Sequence, residues 1–68
     1  MQLKRKIEEV LREWDNLQTI EELNQEWIQA KKEINIYKLL KLITLNEYNE
    51  LNYLIEDSYH LLAKVHNF

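Results

Sequence analysis

Three groupings of side chains in this sequence are of types that could do chemistry. Glu56 and His60 lie four residues apart, a spacing that puts both side chains on one helix face, where they could share a metal. A catalytic zinc needs three protein ligands. His66 falls well round the same helix and no third ligand is evident, so a solvated Glu–His pair is the stronger reading. Asp57, Ser58 and His60 are the residue types of a hydrolytic triad. A nucleophile needs its base within hydrogen-bond reach, with that base oriented by a third group. On a helix, Ser58 would face the apolar side while Asp57 and His60 face away, so the trio does not converge. Ser58 reads instead as a small residue that lets two helices approach closely.

The third grouping is cationic. Lys4, Arg5 and Lys6 open the chain, and Lys31, Lys32, Lys38 and Lys41 follow. Cations at a helix start oppose the helix dipole. A functional reading is therefore a contact to an anion, and nucleic-acid binding through Lys4, Arg5, Lys6, Lys31, Lys38 and Lys41 is the alternative function. Solvation and pairing to Glu8 and Glu9 is the plainer expectation. The charge balance favours it. Residues 1–18 and residues 19–43 each carry four basic and four acidic groups, and residues 44–68 carry Lys64 against Glu47, Glu50, Glu56 and Asp57. The chain's net charge is −3, whereas nucleic-acid binders tend to be basic.

Composition removes further classes. The absence of cysteine excludes disulfides, thiolate zinc sites and thiol catalysis. Glycine and proline are also absent. Phosphate-cradling loops and tight β-hairpins normally need glycine, so nucleotide folds and β-structure are disfavoured and long helices with short joints are favoured. No enzyme activity, cofactor or metal is expected. No apolar run approaches the ~18 residues of a membrane span, and the basic N-terminus lacks the apolar stretch of a signal peptide. A cytoplasmic location is the expectation.

The elements that position these residues are marked by two capping boxes. Thr19-Ile20-Glu21-Glu22 and Thr44-Leu45-Asn46-Glu47 both fit T-x-x-E, in which the threonine and the glutamate cap each other's backbone N–H groups. The spacing predicts one all-α domain over residues 1–68, with helices over 3–16, 20–42 and 45–66. Short joints make sequential helices antiparallel neighbours, so an up-down-up three-helix bundle follows, with the second helix central. The Ile43-Thr44-Leu45-Asn46-Glu47-Tyr48 stretch resembles the I-T-x-x-E-[FY] turn of short helical hairpins, including small oligomerisation domains, but lacks the glycine usual before that turn.

Hydrophobic periodicity fills in the faces. Helix 1 carries Leu3, Ile7, Val10, Leu11, Trp14 and Leu17 on one stripe, with Lys4–Glu8, Arg5–Glu9 and Glu8–Arg12 as i,i+4 pairs elsewhere. Helix 2 has one stripe of Ile20, Leu23, Trp27, Ala30, Ile34 and Tyr37, and a second, nearly opposite, of Ile36, Leu39, Leu40 and Ile43. It should therefore be two-sided, packing helix 1 and helix 3 on opposite faces, or kinked near Asn35. Trp14 and Trp27 are expected to meet across the first hairpin. Helix 3 is apolar over half its circumference and should be the most buried element. At 1.5 Å per residue, helix 1 spans about 21 Å against about 33 Å for helix 3, so it cannot cover the whole hairpin.

That shortfall is the main functional clue. Exposed apolar patches mark interaction surfaces. The expectation is a small non-enzymatic protein–protein interaction module (a regulator, inhibitor or adaptor, of the kind found in phages and mobile elements) that forms a homodimer. The candidate contact residues are Ile36, Leu39, Leu40, Ile43, Tyr53, Leu54 and Leu61.

Overall fold

Both threonine boxes start helices. The computed structural model describes residues 2–66, and the side chains of residues 2–65, as α1 (Gln2–Glu13), a 3-10 turn (Trp14–Asn16), α2 (Ile20–Leu39) and α3 (Leu45–His66). At the start of α3 the box closes both ways: the Glu47 N–H donates to Thr44 Oγ1 at 3.1 Å, and the Thr44 N–H donates to Glu47 Oε1 at 2.7 Å. At the start of α2 the Glu22 N–H donates to Thr19 Oγ1 at 3.2 Å, but the return bond differs. Glu22 Oε1 accepts from the Thr19 hydroxyl at 3.0 Å, not from its backbone N–H. The last turn of the expected first helix tightens to 3-10 form, a common way to end a helix, and Leu17 then leaves in an extended conformation.

The second helix ends three residues earlier than expected. Lys41 adopts a left-handed conformation, with φ of 58°. The Leu42 N–H reaches back to the Tyr37 carbonyl at 2.9 Å and the Lys41 N–H to the Lys38 carbonyl at 3.0 Å. This is the Schellman closure, which glycine usually provides. A residue with a Cβ costs roughly 1–2 kcal/mol in this conformation, part of which glycine would give back through its greater freedom when unfolded. Lys41→Gly is therefore expected to stabilise the chain by about 0.5–1 kcal/mol. In a domain of this size that is a Tm rise of several degrees by thermal denaturation; an unchanged or lower Tm would contradict the strain argument.

Cross-helix partners set the topology. Tyr59 donates to Asn24, Trp27 and Lys31 to Glu56, and Lys31 to Asn52, so α2 and α3 run antiparallel. At the start of α1, Lys4 pairs with Glu50 of α3 and Lys6 with Glu33 of α2, each at 2.5 Å. Thus α1 lies parallel to α3 and antiparallel to α2. The result is an up-down-up bundle measuring 39 × 17 × 14 Å.

The core is a single cluster: Leu3, Ile7 and Trp14 from the N-terminal segment, Leu23, Ala30 and Ile34 from α2, Ile43 from the turn, and Leu51 and Ile55 from α3. Several expectations change here. The most extensively packed pair is α2 with α3, and α3 also meets α1, so α3 rather than α2 is the central element. The two-sided packing of helix 2 is not found. Its first stripe faces the core, while Ile36, Leu39 and Leu40 of the second are exposed. The helix is one uninterrupted element across Asn35. Because a hairpin arm needs only one face to bury itself, the second stripe is left over. Nor is α3 the most buried element: Leu61 and Val65 on it are exposed. Trp27 packs edge-on against Tyr59 of α3, with ring centroids 4.6 Å apart, rather than across the first hairpin. Finally, Lys4 pairs across to α3 instead of with Glu8, and Arg12 donates to the Glu8 backbone carbonyl, not to its carboxylate.

Candidate functional site

Two features stand out on this frame, one polar and one apolar. The polar one centres on Glu56. Its Oε1 accepts from Lys31 Nζ at 2.7 Å and from Trp27 Nε1 at 3.2 Å, both on α2. His60 Nε2 lies 3.3 Å from Oε2 on the same helix. Asn52 accepts from the same lysine, and the Lys31 ammonium stands 5.9 Å from the Trp27 ring centroid. The sequence reading treated Glu56 as half of a solvated pair. It is instead the half-buried clasp between α2 and α3. Lys31 and Trp27 sit four apart on the facing helix, and that cross-helix register was not visible in the periodicity of α3 alone.

The clasp shapes the acid response. The hydrogen bond from Lys31 holds the Glu56 carboxyl below its ordinary value of 4.5, against the opposing effect of burial, with the Lys31 charge, the Trp27 N–H and His60 adding to the lowering. A carboxyl whose pKa is depressed on folding stabilises the fold above its unfolded pKa, and that contribution is lost as pH falls through the folded value. The wild-type chain should therefore lose stability below about pH 4.5 more steeply than Glu56→Gln. Urea midpoints measured from pH 6 to 3 check this; parallel curves would show that the clasp has no electrostatic role.

As a reactive site the clasp offers little. Among the described residues no group of three or more His, Asp and Glu side chains could hold a metal. The His66 side chain lies outside the described residues. Asp57 and His60 are exposed and Ser58 is half-buried beside Leu11, Arg12, Asp15, Leu61 and Leu62, with no hydrogen bond among the three.

The apolar feature is the end of the molecule where α2 turns into α3. Ile36, Leu39, Leu40, Leu42 and Leu45 are each between 52% and 68% exposed. Of the seven contact residues expected from sequence, Ile36, Leu39 and Leu40 are here. Ile43 is not available: it is 8% exposed and belongs to the core, because the Schellman turn folds it inward beneath the tip. Leu54 is half-buried. Tyr53, at 69%, and Leu61 are exposed on α3 away from the tip. Sequence reasoning missed Leu42, which follows the left-handed residue and lies on no helix, and Leu45, the first residue of α3. Ile28 falls off the core stripe of α2 in the sequence and is exposed on its outer face, but was not among the expected contacts.

The cations divide unevenly. Lys4, Lys6 and Lys31 are engaged by Glu50, Glu33 and Glu56. Lys38 stands 4.3 Å from the Tyr48 ring centroid. Among the described residues Arg5, Lys32, Lys38 and Lys41 meet no carboxylate. Among the described residues no helix is long and apolar enough to cross a membrane. No family model matches the chain, and no curated protein or solved structure is significantly similar to it.

Proposed function

We propose that this chain is a small, non-enzymatic protein–protein interaction module, a regulator, inhibitor or adaptor, that binds through the apolar surface around the α2–α3 turn. The observation that carries this reading is the group of five large aliphatic side chains left exposed at one end of the bundle. The core closes without them. Burying one such side chain in a partner contributes roughly 1.5–3 kcal/mol, so a few supply the centre of an interface. The non-enzymatic part rests on the lack of a convergent nucleophile and base at Asp57, Ser58 and His60.

A homodimer is one way to cover this surface and was the sequence-based expectation. Light scattering on the purified chain tests it, and affinity capture with wild-type and Leu39→Asp baits tests the wider reading. A protein retained by the wild type and lost from the variant supports the module. A stable monomer at micromolar concentration that retains nothing specifically would sink it. The nucleic-acid alternative is weaker, because three of its six cations already hold protein carboxylates. It requires a salt-sensitive electrophoretic shift.

A further inference from the structure

The stretch of chain that runs along α2 into the apolar tip has the opposite sign of charge to the remainder, with Glu47 standing just beyond it as the cap of Thr44. Residues 28–45 carry Lys31, Lys32, Lys38 and Lys41 against Glu33 alone, a net charge of +3 in a chain of net −3, so the remainder is −6. Glu33 is occupied by Lys6, and Lys31 by Glu56. That leaves Lys32, Lys38 and Lys41 without a carboxylate among the described residues. Lys38 and Lys41 also suit the negative end of the α2 dipole, but Lys32 lies mid-helix and gains little there.

Lys32 lies within a largely apolar ridge, Lys38 stands to its α3 side over Tyr48, and Lys41 follows its end. At 100° per residue, Ile28, Lys32, Ile36 and Leu39 fall on one line along the outer face of α2, and all four are exposed. The line runs over eleven residue steps, about 17 Å or three turns. Beside it runs an open groove lined by Trp27, Ile28, Lys31, Lys32, Asn35 and Tyr48. An amphipathic helix docks by laying its own apolar face into a groove of this kind.

We propose that the outer face of α2, from Ile28 to the turn at Leu42, docks an acidic amphipathic helix of a partner protein. Its apolar ridge packs on Ile28, Ile36 and Leu39, and its carboxylates meet Lys32, Lys38 and Lys41. This rests on the interaction-module reading and names the partner's chemistry. Charge selects this occupant over a second copy. A symmetric dimer places the same patch on both sides of the interface, so one lysine-bearing patch would face another, and like charges across an interface are costly. A basic apolar helix face can also meet an anionic membrane. A narrow helix contacts the basic strip alone, whereas a flat surface would approach the acidic body as well.

The probe is a labelled synthetic 18-residue helix of leucine and glutamate, with leucine at i, i+3, i+4 and i+7, titrated with the full chain and followed by anisotropy. Saturable binding is expected that weakens with salt. It should fall by about tenfold or more in Lys32→Glu/Lys38→Glu and in Leu39→Ser, a loss of ~1.4 kcal/mol or more. Both variants alter exposed or half-exposed side chains, and unchanged circular dichroism confirms their folds. Equal binding of the same peptide with lysine in place of glutamate overturns the proposal, as does indifference to the charge reversal. Co-sedimentation with vesicles containing phosphatidylserine, without peptide binding, overturns it in favour of a membrane. A wild-type dimer that dissociates in Leu39→Ser overturns it too, but leaves the interaction-module reading standing.

Discussion

Ile55→Asp should leave the chain unfolded at room temperature. Ile55 has no exposed surface and lies in the centre of α3, facing the core that all three helices share. Removing a buried isoleucine side chain alone costs about 2–5 kcal/mol. The aspartate adds a charge with no buried cation to pair with, which costs several kcal/mol more or forces the carboxyl to stay protonated. Stability per residue is about 0.05–0.15 kcal/mol, which for a chain of this length gives ~3–10 kcal/mol. The loss therefore rivals the total. Circular dichroism at neutral pH should show the helical signal largely gone. Tyr53→Asp, two residues away but 69% exposed, is the control, and a solvent-facing change of this kind costs within about 0.5 kcal/mol. If the two variants melted alike, the core assignment of α3 would be wrong.

The second large effect is at Trp14, where two substitutions should differ sharply. The side chain is 0% exposed, and its Nε1 has no hydrogen-bond partner among the described residues. Trp14→Ala leaves a cavity where the largest core side chain had been, at a cost of about 3–5 kcal/mol. Trp14→Phe keeps most of the ring and removes the unpartnered N–H. A buried unsatisfied donor costs roughly 1–3 kcal/mol, so its removal offsets much of the lost packing, and the net loss should be about 1 kcal/mol or less. Urea midpoints decide this. A phenylalanine variant as damaged as the alanine variant would mean that the indole N–H is satisfied after all.

The parts of the fold that sequence revealed are those written into short stretches. Thr19 and Thr44, each with a glutamate three residues on, place two helix starts, because capping is local chemistry. The 3-7-10-14 stripe of the N-terminal segment and the first stripe of α2 identify core residues for the same reason. The end of α2 was less legible. It depends on Lys41 entering a conformation that lysine does not favour, and only the return of α3 imposes it. Glu56 shows the same limit: its role comes from Lys31 and Trp27 on another helix, which no single-helix period contains. The exposed apolar tip was half visible. The excess apolar face could be counted, so Ile36, Leu39 and Leu40 were found. Ile43, on the same stripe, sits beyond the left-handed turn and is carried into the core.

The central claim is that the tip is a surface left free for a partner and not part of the core. Leu40→Asp tests it most directly, by urea denaturation and light scattering of the same sample. Leu40 is 64% exposed, so the expected result is a folded, monomeric chain whose stability lies within about 0.5 kcal/mol of the parent. An unfolded chain, or a loss of several kcal/mol, would mean that Leu40 is buried in the folded protein and would contradict the free surface.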